Sequence, residues 1–270
     1  MFRSLTGSSS DQMAIPADSD LKVKELREAL GPLTGRSLKY CTDTCLRRYL
    51  KARNWDLIRA KKMLEETLNW RASYLPEDIR WASNNKNDVA KEGKTGKLFR
   101  ANFHDRSGRT VLIMTPGKQN STSMEDNIKQ LVYTFENAIF NLPEGQEQMS
   151  WLVDFTGWSI YNVTLNTTKQ FLTILQNHYP ERLAVSFLYN PPRIFQATFK
   201  IASYFIEAKT FEKIKFVYPH DEESVEVMKT YFDVENLPAE FGGKATLRYD
   251  HEYSRQMALD ELKCAAYWAK

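Results

Sequence analysis

Two short polar runs in this chain bracket a segment that is apolar around most of a helix. The first is His178-Tyr179-Pro180-Glu181-Arg182-Leu183, and the second, about thirty residues later, is Thr210-Phe211-Glu212-Lys213. Between them, residues 193–206 place Ile194, Ala197, Ile201 and Phe205 on one helical stripe and Phe195, Phe199, Ala202 and Ile206 on its neighbour. Only Gln196, Lys200 and Ser203 make a polar strip. A carboxylate and an ammonium at the ends of such a helix suit an amphiphile, whose charged, hydroxyl-bearing head is held by polar groups while its tails lie in an apolar cavity. On periodicity alone the same pattern describes a core helix of an α/β fold, and Glu181 on its own reads equally well as one half of a surface ion pair with Arg182 or another neighbour. Position favours the cover of a cavity. Asn190-Pro191-Pro192 leads into the helix and Glu207-Ala208-Lys209 leads out, so both ends could hinge.

Other chemistry finds little support. Gly93-Lys94-Thr95 invites a phosphate-loop reading, but the glycine that loop needs five residues earlier is Asp88, and no strand precedes it. There is no G-x-S-x-G elbow and no H-E-x-x-H pair. His104, His178, His220 and His251 are dispersed, so neither a metal nor any other cofactor is expected. Asp154, at the end of a strand, could serve with His104 in an α/β hydrolase. With no nucleophile or glycine loop beside it, a turn-capping role is the better reading. No catalytic residue is assigned.

Composition sets the frame. The chain has 270 residues, 42% hydrophobic and 26% charged, enough for one large domain and a small helical one. A net charge of +3 is too slight to argue for nucleic acid but permits brief contact with an anionic membrane. No apolar run reaches the roughly 18 residues of a spanning helix, and the first 20 residues hold no apolar signal-type stretch. The three cysteines, Cys41, Cys45 and Cys264, read as reduced thiols. A monomeric cytoplasmic protein, transiently on membrane surfaces, is the expectation.

Residues 1–20 read as a flexible tail and 21–81 as a helical domain, with Thr42 or Asp43 starting one helix and Asp56 capping the next. Residues 82–97 read as a connection. From there strands (98–103, 110–114, 150–155, 183–188, 215–218) alternate with helices (124–138, 165–179, 195–206, 225–232). The alternation predicts an α/β fold, a mixed and largely parallel five-stranded sheet with flanking helices, over 97–248, followed by a helical extension over 249–270.

Several motifs in order resemble the CRAL-TRIO lipid-binding family, in particular its yeast-type phosphatidylinositol transfer proteins. They are Leu46-Arg47-Arg48-Tyr49-Leu50-Lys51-Ala52-Arg53-Asn54-Trp55-Asp56, Asp105-Arg106-Ser107-Gly108-Arg109-Thr110-Val111, Asp154-Phe155-Thr156-Gly157, Tyr179-Pro180-Glu181-Arg182 and Leu237-Pro238-Ala239-Glu240-Phe241-Gly242-Gly243-Lys244. The resemblance implies a pocket floored by the sheet and closed by a gate helix carrying Phe195, Phe199, Ala202 and Ile206. It implies that Arg53 and Lys213 hold the lipid phosphate, that Glu181 accepts from the inositol hydroxyls and that Thr210 adds a hydroxyl. At the positions where choline-lipid-binding members carry tyrosines this chain has Ala101 and Leu112, and of a hydroxyl pair it keeps Ser159 but has Tyr161. A second hydrophobic ligand other than phosphatidylcholine is therefore implied around these four. Alternatives are a carrier of a tocopherol- or retinoid-like molecule and, from another class, the hydrolase.

Overall fold

A computed structural model describes residues 16–81, 89–161, 164–247, 249 and 251–269. The first 15 residues of the expected tail and residues 82–88 of the expected connection lie outside the described residues.

The chain divides into two compact units, the first ending at Leu68 and the second beginning at Asn69. In the first, helices α1 (Ser19–Leu30), α2 (Gly35–Tyr40), α3 (Asp43–Ala52) and the start of α4 (Leu57–Tyr74) surround Leu26, Leu46, Tyr49, Leu50 and Leu64. Thr42 is the cap of α3, its Oγ1 accepting from the Cys45 amide at 3.2 Å, and Asp56 caps α4 by accepting from the Arg59 amide at 2.9 Å. Cys41 and Cys45 are buried in this core as small apolar side chains.

In the second unit, after a 3-10 turn at Pro76–Asp78, α5 (Ala90–Gly93) leads to β1 (Leu98–His104) and β2 (Thr110–Met114). Then follow α6 (Met124–Phe140), β3 (Met149–Asp154), α7 (Leu165–His178), β4 (Leu183–Tyr189), α8 (Arg193–Ala202), a 3-10 turn at Ser203–Phe205 and α9 (Ala208–Phe211). The chain continues through β5 (Ile214–Val217) and α10 (Glu222–Tyr231) to α11 (His251–Ala269). The five strands lie in sequence order, β1 antiparallel to β2 and the rest parallel, as the alternation predicts.

Side-chain alternation sorts the sheet into two faces. Phe99, Val111, Ile113, Leu152, Val185 and Phe187 face α10 and the closing segment with Leu237 and Phe241. That segment is tight: a Cβ on Gly243 would lie 1.9 Å from the Leu237 carbonyl oxygen, which explains the glycine of the closing motif. Leu98, Leu112 and Met149 face α6 and α7, through Leu131, Phe135 and Leu175. Towards the C-terminal ends of β3 and β4 the same face meets α8.

The apolar helix is shorter than its periodicity implies. It ends at Ala202, tightens to a 3-10 turn, and Ile206 is extended (φ −99, ψ 125). Ser203 Oγ bonds back to the Lys200 carbonyl at 2.8 Å, a local bond that competes with helix propagation.

Candidate functional site

Glu181 and Lys213 come together. Glu181 precedes β4 and Lys213 precedes β5, but Ser186 pairs with Ile214, so Lys213 enters the sheet beside Val185 and its long side chain reaches back towards the start of β4. Lys213 Nζ lies 3.9 Å from Glu181 Oε2 and donates to the Leu183 carbonyl at 3.0 Å. At 3.9 Å the charges attract without a direct hydrogen bond. The Glu181 side chain is 11% exposed, so this is not a loose surface pair. Arg182, next in sequence, donates to Glu147 Oε2 at 2.7 Å. Thr210 stands on α9, three residues before Lys213, and accepts the Lys213 amide at its carbonyl (3.1 Å). Arg53 belongs to the first unit, at the C-cap of α3, where its Nη1 donates to the Ala52 carbonyl at 3.1 Å.

The loop that carries Glu181 is held from both sides. Glu181 adopts φ +59, a left-handed conformation that a side chain disfavours and surrounding contacts must enforce. On one side, Tyr179 Oη donates to Glu136 Oε1 at 2.7 Å, and on the other the Arg182 carbonyl accepts from the Met149 amide at 2.8 Å. Glu136 is itself gripped by Arg71, whose Nη1 and Nη2 donate to its two oxygens at 2.8 and 3.0 Å while Nε donates to Glu77 at 2.8 Å. Burial alone would push the Glu136 carboxyl up, but Arg71 and the Tyr179 hydroxyl more than offset this and hold it below its ordinary value. Sequence spacing offered no signal for this group, since Arg71 and Glu136 are 65 residues apart.

His178, next to it, stacks on Trp70 with ring centroids 4.3 Å apart and planes 4° from parallel. Burial, then the Arg71 charge, lower its pKa to about 4, so it is neutral at pH 7. The unfolded chain gains a proton near the ordinary value of 6.5 that the folded site refuses until about 4. Its contribution is therefore present above 6.5 and lost as pH falls towards 4. His178→Phe, which keeps a ring on Trp70, should flatten that part of the acid limb in thermal melts taken from pH 7 to 4. An unchanged slope would remove the assignment.

The apolar side of the site lies beneath α8. Phe195 meets Phe155 at 4.2 Å and Trp158 at 5.4 Å between ring centroids, and Phe199 meets Phe216 at 5.0 Å. With Val153 and Leu188 these rings line the sheet face under the helix, and Ala202 is buried on the same side. The neighbouring stripe is in solvent, Ile194 at 59% and Ile201 at 49% exposure, as is Tyr204 of the following 3-10 turn at 80%. Phe155 and Trp158, which follow β3, belong to this cluster, and nothing in the pattern of the helix itself announced them.

The CRAL/TRIO domain profile matches residues 93–243, and the CRAL/TRIO N-terminal domain profile matches residues 22–66. The chain belongs to the CRAL/TRIO family. Among its relatives, a CRAL-TRIO domain-containing protein of Schizosaccharomyces pombe is 33% identical over 214 residues, covering 79% of this chain but only 20% of that protein. The phosphatidylinositol transfer protein PDR17 of Saccharomyces cerevisiae is 30% identical over 253 residues, 87% of this chain and 69% of the relative. The SEC14 cytosolic factor of Candida glabrata is 32% identical over 224 residues, 75% and 71% of the two chains. The crystal structure of Sfh5 shares the fold, with a TM-score of 0.60, 16% identity and 93% coverage of both chains. The family is one of lipid binding and transfer, and the yeast-type transfer proteins are among its relatives. No described helix is long and apolar enough to cross a membrane.

Within this CRAL/TRIO fold the four residues expected around a second ligand do not gather. Leu112 pairs with Arg100 and lies on the α6 side of the sheet, whereas Ala101 lies on the α10 side. Paired residues share a face and the next residue takes the other, so one position of register separates them. Ser159 and Tyr161 follow β3, at the sheet edge opposite Glu181. Tyr161 is 90% exposed. The hydrolase reading also fails on topology. His104 pairs with Thr110, and Thr110 with Met149, at one end of β3, whereas Asp154 is at its other end, roughly 16 Å away at 3.3 Å per residue. Asp154 instead caps its turn, accepting from the Thr156 amide at 2.9 Å. No cluster of metal-binding side chains occurs among the described residues.

Proposed function

We propose that this chain binds phosphatidylinositol and exchanges it at membrane surfaces, together with a second apolar ligand. The observation that carries this reading is the Glu181–Lys213 pair, mostly withdrawn from solvent and 3.9 Å apart, with the apolar helix α8 between the two in sequence. Lys213, with Thr210, supplies donors to a phosphate, and Glu181 accepts from inositol hydroxyls. Two relatives are named for phosphatidylinositol transfer or as a SEC14 factor, which supports the same assignment. No covalent step is required. Each acyl CH₂ moved from water to an apolar interior gains about 0.8 kcal/mol, so a closed protein can carry what water cannot.

The outer stripe of α8 suits the same task. Lys169, 5.1 Å from the Phe205 ring, and Lys200 and Lys209 place positive charge beside exposed apolar side chains, a combination that fits an anionic bilayer surface. Transfer of labelled phosphatidylinositol between vesicles tests the proposal. Saturable transfer at catalytic amounts of protein is expected, and none above the spontaneous rate would refute it.

A further inference from the structure

The two ends of α8 are tied down by different means. At its N-terminal end the main chain itself is fastened to the sheet, the Asn190 amide donating to the Val217 carbonyl at 2.8 Å, and Pro191 and Pro192 stiffen the approach. At the C-terminal end the chain passes from a 3-10 turn to α9 through two extended residues, Ile206 and Glu207. Around an extended residue, the preceding carbonyl and the following amide point to the same side, as they do in a strand. Here both meet one side chain of α7. Gln176 Nε2 donates to the Phe205 carbonyl at 2.8 Å, and Gln176 Oε1 accepts from the Glu207 amide at 2.7 Å. A side-chain amide carries the donor and acceptor needed to stand in for a neighbouring strand. On the same helix face, seven residues earlier, Lys169 sits 5.1 Å from the Phe205 ring and adds a second, weaker tie.

We infer that Gln176 is the latch of the cover helix: α8 opens by releasing its C-terminal end from α7, with the N-terminal end as the fixed pivot. The consequence for exchange rests on the carrier reading above, whereas the latch itself does not. Both hydrogen bonds are solvent-accessible, so water competes for them and each is modest in strength. A tie of that size suits a gate that must hold and yet release. The two expected hinges differ in kind: at the C-terminal one the Gln176 side chain holds the main chain itself, whereas at the N-terminal one the Asn190 backbone pairs with β5 and Gln196 adds only a side-chain bond to the Tyr218 hydroxyl at 3.3 Å.

Hydrogen exchange on the lipid-free chain tests the latch directly. In Gln176→Leu, amides over residues 203–212 should exchange about tenfold faster than in the parent protein, with residues 189–193 and α6 unchanged. Gln176→Glu keeps the acceptor for the Glu207 amide and loses the donor, and should fall between the two; it also serves if the leucine variant folds poorly. Equal exchange at 203–212 in parent and variants, or an equal rise at 189–193, would overturn the latch. Release of pyrene-acyl phosphatidylinositol to acceptor vesicles should be at least about threefold faster in Gln176→Leu. Faster amide exchange with unchanged release would overturn its role in ligand exchange. A parent protein that moves no phosphatidylinositol would refute the carrier reading and leave the amide-exchange result to decide the latch alone.

Discussion

Replacing Arg71 with Leu should cost about 3–5 kcal/mol of stability, because it leaves two buried carboxylates without their cation. The Arg71 side chain is 6% exposed and those of Glu77 and Glu136 are 3% and 14% exposed, so water cannot take the place of the guanidinium. For a chain of this size the loss corresponds to a fall of roughly 6–20 °C in Tm. The pH dependence should reverse as well. In the parent protein the Glu136 pKa is depressed, so its contribution is present above the ordinary carboxyl range and lost as pH falls. In Arg71→Leu burial is opposed by the Tyr179 hydroxyl and the Arg182 charge alone, so that pKa should rise and acidification should recover part of the stability. Adding Glu136→Gln should restore part of the loss at neutral pH. Melting within about 2 °C of the parent would show that the group is not a buried ion network.

The second large effect concerns the head-group residues. Glu181→Ala and Lys213→Ala should each weaken phosphatidylinositol loading roughly ten- to hundredfold, the equivalent of about 1.5–3 kcal/mol for a lost charge-assisted hydrogen bond. The two changes should be less than additive, because each residue faces the other at 3.9 Å and removing one already unbalances its partner. Thermal unfolding separates binding from folding. Glu181 holds a left-handed backbone, so Glu181→Gly provides a strain-free control that also lacks the carboxylate. If that variant loads phosphatidylinositol like the parent, the carboxylate has no part in recognition.

The fold was legible because its signals are local. Ser123 accepts from the Asp126 amide at 3.3 Å and starts α6 where the capping pattern placed it, and the turn 104–108 joins β1 to β2 around Asp105. The stripe of Phe195, Phe199 and Ala202 faces inwards because a helical period fixes which side chains share a side. The meeting of Glu181 with Lys213 was within reach in part: each precedes a strand of one parallel pair, but the offset that sets Ile214 beside Ser186, which the lysine stem spans, was not readable. What could not be read depends on contacts across the fold. The grip of Arg71 on Glu136 and of Gln176 on the Phe205–Glu207 backbone requires helices brought together by packing. The expected grouping of Ala101 with Leu112 failed on parity, since a shift of one residue in β1 changes the face.

Native mass spectrometry of the chain, taken from a eukaryotic lysate by mild extraction, tests the central claim most directly. The account predicts one phosphatidylinositol per chain in a loaded fraction, sharply reduced in Lys213→Ala with the fold retained. A folded chain that carries only a phosphate-free apolar molecule, or that stays empty after incubation with phosphatidylinositol vesicles, would contradict it.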